Sequence, residues 1–495
     1  MMVLDDYRGT TLVKGPSVSG VEEIEKCLTR TISTERSRYA VFARHEGILN
    51  GLEKFLPIGF LEETDFFFII RYCDSLYEDQ RFASLMKKAK EKCMSIVVLA
   101  YESQRISSDV MSLFDKVVCF RDTDIRKETF LMDADKEAIR SYYEENIYGK
   151  WREGEAVSYE LLGDDPKSDE SSSGNPFEVK GGKLVKIKLT KDGRSAEFIV
   201  HVYLPHAKNR TKALRGLPFI VCMHPIKPKE MALDNGYALI VMDSIQIATD
   251  DTRHLGAFYD LYPYGADSKN QTGVLMAWAW GASKILDAVI AGLDREYNLD
   301  ARGAMVTGVS RWGKATAVCG AFDKRFRMVI PACSGAGGLA LYSVVSQGNT
   351  YDFSSIGGPQ SYTYGENEPL SCLQSDAERG WFCDNFLKFE SPQDIFADQY
   401  YLPILAMDKD RCYFIIAAYT GEDWVNAPAM WECYKKADAA YAKEGLDEHL
   451  VVHFHREGHA VIDEDMELII KYFEHMYYGK DNKIDIKSLK TTVFA

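Results

Sequence analysis

Short apolar runs, each followed by a stretch of helical periodicity, set the rhythm of the chain. In its first quarter Asp65–Ile70, Ser95–Ala100 and Lys116–Phe120 read as buried strands. Between the first two, Phe82, Leu85, Met86 and Ala89 recur at helical spacing, opposite Lys87, Lys88, Lys90 and Glu91. Strand, helix, strand predicts a parallel sheet. Ala134–Tyr148 reads as an amphipathic helix, and the acidic, serine-rich Asp164–Asn175, with Ser171-Ser172-Ser173-Gly174, as a flexible loop. From Gly182 to Leu204 polar and apolar residues alternate, predicting an antiparallel hairpin. Further strands are expected at Pro218–Met223, Ala238–Met242, Ala304–Thr307, Arg327–Ile330, Cys412–Ala418 and Leu450–Phe454. Gly273–Ile290 is apolar almost all round and carries Trp278 and Trp280, so it should be a buried helix. Met466–Tyr478 forms an amphipathic closing helix, and no internal repeat is present.

An antiparallel pair leading into strands that alternate with helices is the layout of an α/β-hydrolase, a three-layer sandwich around a mostly parallel sheet. The chain of 495 residues has room for a second unit. Residues 1–128 are expected to form a smaller α/β domain and 129–495 the hydrolase. The stretch Leu85–Arg121 faintly resembles the late strands of P-loop ATPases. No G-x-x-x-x-G-K-[ST] occurs anywhere, so the phosphate cradle is missing and a non-catalytic role is expected for this domain. A net charge of -15 argues against nucleic acid and anionic membranes as partners. No run was expected to be long enough to span a membrane. The start Met1-Met2-Val3-Leu4-Asp5-Asp6 is unlike a signal peptide, and the 11 cysteines are scattered without C-x-x-C. Together these lead to the expectation of a cytoplasmic protein with reduced thiols.

The candidate chemistry centres on Gly308-Val309-Ser310-Arg311-Trp312-Gly313-Lys314. A serine at a sharp strand-to-helix turn is the nucleophile elbow of the fold. The second glycine of G-x-S-x-G falls one residue late, with Trp312 in its place. A serine nucleophile needs a histidine base held by an acid, in the chain order Ser, acid, His. Glu422 and Asp423 follow the strand ending at Ala418, and His459 follows the last strand. Asp423 is the expected acid and Glu422 the alternative. His453 and His455 alternate on one strand face but lack a third metal ligand at useful spacing, so no metal site is assigned.

Several motifs give the chain a family resemblance. The elbow, Asp323-Lys324-Arg325-Phe326, Ser334-Gly335-Ala336-Gly337-Gly338, Ala277-Trp278-Ala279-Trp280-Gly281, Trp381-Phe382-Cys383-Asp384-Asn385-Phe386, Glu145-Asn146-Ile147-Tyr148-Gly149 and Gly458-His459 resemble the glucuronoyl esterases, the fifteenth carbohydrate esterase family. The likeness runs from about residue 133 to 480. It implies a cofactor-free serine esterase for an ester of glucuronic acid or a related sugar acid. Ser310 would be nucleophile, His459 base and Arg311 the oxyanion stabiliser, while Lys314, Glu378 and Trp424 would contact the sugar. Many fungal members carry the acid directly before Ser-Gly-Ala-Gly-Gly, where this chain has Cys333. That departure moves the acid to the turn holding Asp423, as in many bacterial members. Two alternatives stay open: a general carboxylesterase or deacetylase for small esters, and a decayed carbohydrate-binding or regulatory protein.

Overall fold

The structure is a computed structural model. It describes residues 10–119 with short breaks at 16–17, 35–37, 43–44, 56–65, 73, 77–78, 92–94, 102–103 and 105, then 135–167, 178–206 and 216–494. The chain divides into two compact units, Met1–Asp135 with Gln393–Phe396, and Lys136–Pro392 with Ala397–Ala495. The boundary therefore falls a few residues beyond the expected 128. Most of the loop expected at Asp164–Asn175 lies outside the described residues, as do Asp65 and Phe120.

The first unit holds a five-stranded parallel sheet: β1 (Thr10–Gly15), β2 (Arg38–Phe42), β3 (Phe66–Arg71), β4 (Ser95–Tyr101) and β5 (Lys116–Cys119), in the order β2-β3-β4-β1-β5. Its two faces bury separate clusters. Phe68, Ile70, Ile96 and Val98 meet the helix Gln80–Glu91 through Phe82, Leu85, Met86 and Ala89. Phe67, Ile69, Val97 and Leu99 meet the helix Val18–Thr34. A phosphate-binding loop would occupy the turn from β1 into that helix. There Gly15 and Gly20 keep the spacing, but Val21 and Glu22 stand where the lysine and the hydroxyl residue would be. At the end of β3 the Arg71 guanidinium pairs with Glu25 of the same helix at 2.5 and 2.6 Å.

The main sheet of the second unit has nine strands among the described residues. An antiparallel run of β6 (Ala156–Asp164), β7 (Lys183–Lys191) and β8 (Arg194–Tyr203) leads to β9 (Leu217–Cys222) and β10 (Ala238–Met242). β11 (Leu299–Val309) and β12 (Met328–Ala332) follow. A two-residue hairpin, β13 (Thr350–Tyr351) and β14 (Tyr362–Thr363), stands apart, before β15 (Cys412–Thr420) and β16 (Leu450–Glu457). The order β16-β15-β12-β11-β9-β10-β8-β7-β6, parallel from β10 through β16, is the expected hydrolase sheet. β6 was not foreseen; as an edge strand it is exposed over most of its length, which hides it from a search for buried runs. Helices Val274–Ala288, Arg311–Phe322 and Tyr401–Ala406 pack together, and Lys229–Asp234 packs on Asp463–Tyr478.

The helical stretch Val274–Tyr297 corrects one expectation: at 24 residues it is long and apolar enough to cross a membrane by length and composition. Its apolar window is 83% buried inside the protein, so it is a core helix. It also hides a charge. Lys284 is buried and pairs with Glu155 at 2.8 Å and Asp287 at 2.6 Å. Glu155 in turn accepts from Trp280 Nε1 at 3.0 Å and from the Tyr262 hydroxyl.

Two outcomes follow. Lys284→Met strips the partner from a fully buried carboxylate and should destabilise this unit by about 3–5 kcal/mol in denaturant melts. Titration of the chain with MgATP in a calorimeter should give no saturable heat, because Val21 and Glu22 offer neither cation nor hydroxyl; saturable binding would reverse the reading of the first unit.

Candidate active site

The site is built where β11 turns sharply into the helix Arg311–Phe322. Ser310 sits at the tip with φ 63° and ψ -129°, a conformation that non-glycine residues rarely adopt. Its N–H donates to Ala332 O at 3.0 Å, tying the turn to β12. A Cβ on Gly308 would lie 2.6 Å from Trp312 O, and one on Gly313 would lie 2.3 Å from Ala332 O. The displaced second glycine therefore serves the contact with β12, while Trp312 is accommodated because Gly308 leaves room for its backbone. Trp312 Nε1 donates to Ser244 Oγ at 2.7 Å, and its ring stands edge-on to His224 at 4.4 Å.

His459 lies in the loop between β16 and the helix Asp463–Tyr478. Its Nδ1 is 2.7 Å from Glu422 Oε2, so the carboxylate that meets the imidazole is Glu422 and not the expected Asp423. Glu422 is 2% exposed, and its other oxygen accepts the Ala418 N–H at 2.6 Å. The chain leaves β15 through Gly421 at φ 81°, which folds the Glu422 side chain back over the strand end. Asp423 starts a 3-10 turn and points elsewhere. It accepts from the Tyr362 hydroxyl at 2.6 Å and the Gly365 N–H at 2.8 Å, clamping the segment after β14.

Cys333 Sγ lies within 4.8 Å of the same carboxylate and donates to Ala460 O at 3.9 Å. Burial, and next the Glu422 charge and hydrogen bond, push its thiol well above the usual range, so it stays a neutral donor. His455, which had been weighed as half of a metal pair, is buried between Asp465 at 3.1 Å and Gly458 O at 3.0 Å. Burial alone would lower its pKa, but the Asp465 hydrogen bond and charge raise it overall. It anchors the residue before His459. His224 accepts the Val309 N–H at 3.3 Å, and burial pushes it down to about 4, so it remains neutral beneath the serine.

Arg311 opens the helix. Its Nη1 meets Asp250 Oδ2 at 2.5 Å, and Trp381 Nε1 donates to Asp250 Oδ1 at 2.7 Å. The guanidinium carbon lies 5.5 Å from the ring centres of both Trp312 and Trp381. A cavity of about 250 Å³ collects Ser310, Arg311, His459, His224, Lys227 and Val461 among its lining. Trp424 is 46% exposed, its ring 5.2 Å from that of His459; neither it nor Glu378 is among the residues lining the cavity. Lys314 is placed differently from expectation. It is 3% exposed, does not line the cavity, and spends its ammonium on Glu368 at 2.7 Å and Ala336 O at 2.5 Å. Glu378 is half-buried, and burial together with the Glu368 charge raises its carboxyl pKa. Asp250, Glu368 and His224 were missed, because none carries a spacing signal. Trp381 was visible only as part of a motif without a role.

Ser310 and His459 line one cavity, Glu422 meets the histidine's Nδ1, and all three lie at the C-terminal ends of parallel strands, the arrangement of an α/β-hydrolase. The sequence profile of the glucuronyl esterases of fungi matches residues 187–445, just over half of the chain, and the protein belongs to this family. A multidomain esterase of Ruminococcus flavefaciens is 44% identical over 363 residues, 72% of this chain and 45% of its own length. A 4-O-methyl-glucuronoyl methylesterase of Hypocrea jecorina is 29% identical over 43% of this chain and 42% of its own length. The chain thus spans less than half of each of these curated relatives. Among solved structures, a family 15 glucuronoyl esterase from Caldicellulosiruptor kristjansonii superposes with a TM-score of 0.62 at 29% identity, over 76% of this chain and 91% of that one.

The acid can be read without turnover. A low-field proton resonance from His459 Nδ1–H should be present in the parent and in Asp423→Asn, and absent from Glu422→Gln. The opposite pattern would return the acid to Asp423.

Proposed function

We propose that the chain is a serine esterase that cleaves an ester of glucuronic acid or a related sugar acid through an acyl-enzyme. The observation that carries this reading is the Glu422–His459 hydrogen bond, at a cavity that also holds the strained Ser310. A decayed member would lack a carboxylate within reach of His459; here one lies at 2.7 Å.

In this mechanism Ser310 Oγ attacks the ester carbonyl while His459 Nε2 takes its proton. Glu422 fixes the tautomer through Nδ1–H and stabilises the imidazolium. Negative charge develops on the carbonyl oxygen beside the helix N-terminus, where the Arg311 N–H points. The Arg311 guanidinium, steadied by Asp250, adds a positive field there. His459 then protonates the leaving alcohol, and water, activated by the same base, releases the sugar acid. Trp424 offers the sugar ring an apolar face, and Glu378 a polar group. Residues 1–128 take no part in this chemistry.

Ser310→Ala should lower kcat by roughly a thousandfold or more. Asp250→Asn, which loosens the arginine without removing it, should lower kcat by about tenfold to a hundredfold with little change in KM. Rates on benzyl glucuronate, methyl galacturonate, acetylated xylan and p-nitrophenyl acetate decide the ester class. Preference for the acetyl esters would favour the general esterase, and no turnover of any would favour a decayed site.

A further inference from the structure

Behind the His459 imidazole, three groups of different character converge. Cys333 Sγ, a carboxylate oxygen of Glu422 and a ring nitrogen of His459 all lie within 4.8 Å of one another. They come from the end of β12, the turn after β15 and the loop after β16, so three strand ends aim at one point. Cys333 is held there by a backbone at φ 46°. Thiolate, imidazole and carboxylate are the ligand set of zinc. Its bond lengths of about 2.0–2.3 Å place tetrahedral donors roughly 3.3–3.8 Å apart. To meet one ion, Cys333 Sγ has to approach by at most about 1 Å, while the Nδ1–Oε2 pair, now at 2.7 Å, opens by about half an ångström or more.

We propose that this triangle binds a thiophilic divalent cation of the zinc class, and that binding switches the site off. The inhibitory half of the proposal rests on the esterase reading above; the binding half does not. In the resting site Nδ1 carries the proton that bonds to Glu422, leaving Nε2 free to accept from Ser310. A metal on Nδ1 inverts this arrangement. The Nδ1 proton moves to Nε2, the Cys333 thiol releases its proton to solvent, and the ion takes thiolate, carboxylate and Nδ1, with water as fourth ligand. With Nε2 protonated, His459 cannot serve as base. One proton is released per ion, so binding should tighten as pH rises. Magnesium and calcium, which prefer oxygen donors, should have no effect. Cys333 and Glu422 are 1% and 2% exposed, whereas the His459 side chain is 26% exposed beside Gly458 at φ 103°. Entry therefore needs the histidine loop to open, which predicts slow onset.

The test uses the full chain and two metals. Zinc chloride is pre-incubated with the protein and the residual ester hydrolysis measured, each variant normalised to its own metal-free rate. Cobalt(II) is added separately, and the near-ultraviolet thiolate-to-cobalt charge-transfer band recorded. The parent should show slow zinc inhibition reversed by EDTA, and the cobalt band. Cys333→Ala should lose the band and need roughly tenfold to a hundredfold more zinc. Cys333→Ser, closer in size and polarity, serves if the alanine variant does not fold. Equal zinc sensitivity in the cysteine variants, or a parent without the cobalt band, overturns the proposal. A parent that hydrolyses no ester yet shows a Cys333-dependent band upholds the site and overturns only the esterase reading.

Discussion

The backbone of Ser310 is the constraint on which the site depends. A serine at φ 63° is held there because its neighbours leave no alternative. β11 enters the turn in register with β12, and Ala332 O receives the Ser310 N–H. The helix that follows lies so close to β12 that position 313 admits no side chain. Relaxing the serine would mean separating two buried elements. The strain thus persists, and it exposes Oγ at the helix N-terminus, where developing negative charge is favoured.

The histidine side is assembled from three strand ends that are distant in sequence. His459 comes from a loop anchored by His455 and Asp465, Glu422 from a glycine turn, and Cys333 from the strand beside them. Cys333 Sγ lies within 4.8 Å of both the Glu422 carboxylate and the His459 ring. Burial and the Glu422 charge push that thiol well above its usual range, so it stays neutral, and its Sγ donates to Ala460 O at 3.9 Å.

Charge is handled in the same way elsewhere: each buried ion is enclosed by partners. Lys284 sits inside an apolar helix because Glu155 and Asp287 meet it, and Lys314 is buried because Glu368 and Ala336 O receive its protons. Arg311 keeps solvent access on one side and a carboxylate plus two indole faces on the other. Such a cation is oriented without being fully neutralised, which suits a group that has to face a transient oxyanion.

Much of this was legible in the chain. Period-two runs and buried strands marked the hydrolase sheet, and small residues flanking Ser310 marked the elbow, because those patterns reflect local sterics and burial. The order of Ser310, the 422–423 turn and His459 narrowed the triad to one ambiguous residue. That ambiguity could not be resolved from sequence. Adjacent side chains in an irregular turn point to opposite sides, and only the φ of Gly421 decides which one faces the base. Lys314 looked like a sugar contact until packing buried it against Glu368, and Asp250 had no signal because its partners lie 61 and 131 residues away. Local chemistry pointed to Ser310 and His459; the tertiary structure put Glu422 rather than Asp423 against the imidazole, because hydrogen-bond reach depends on how separate strand ends are brought together.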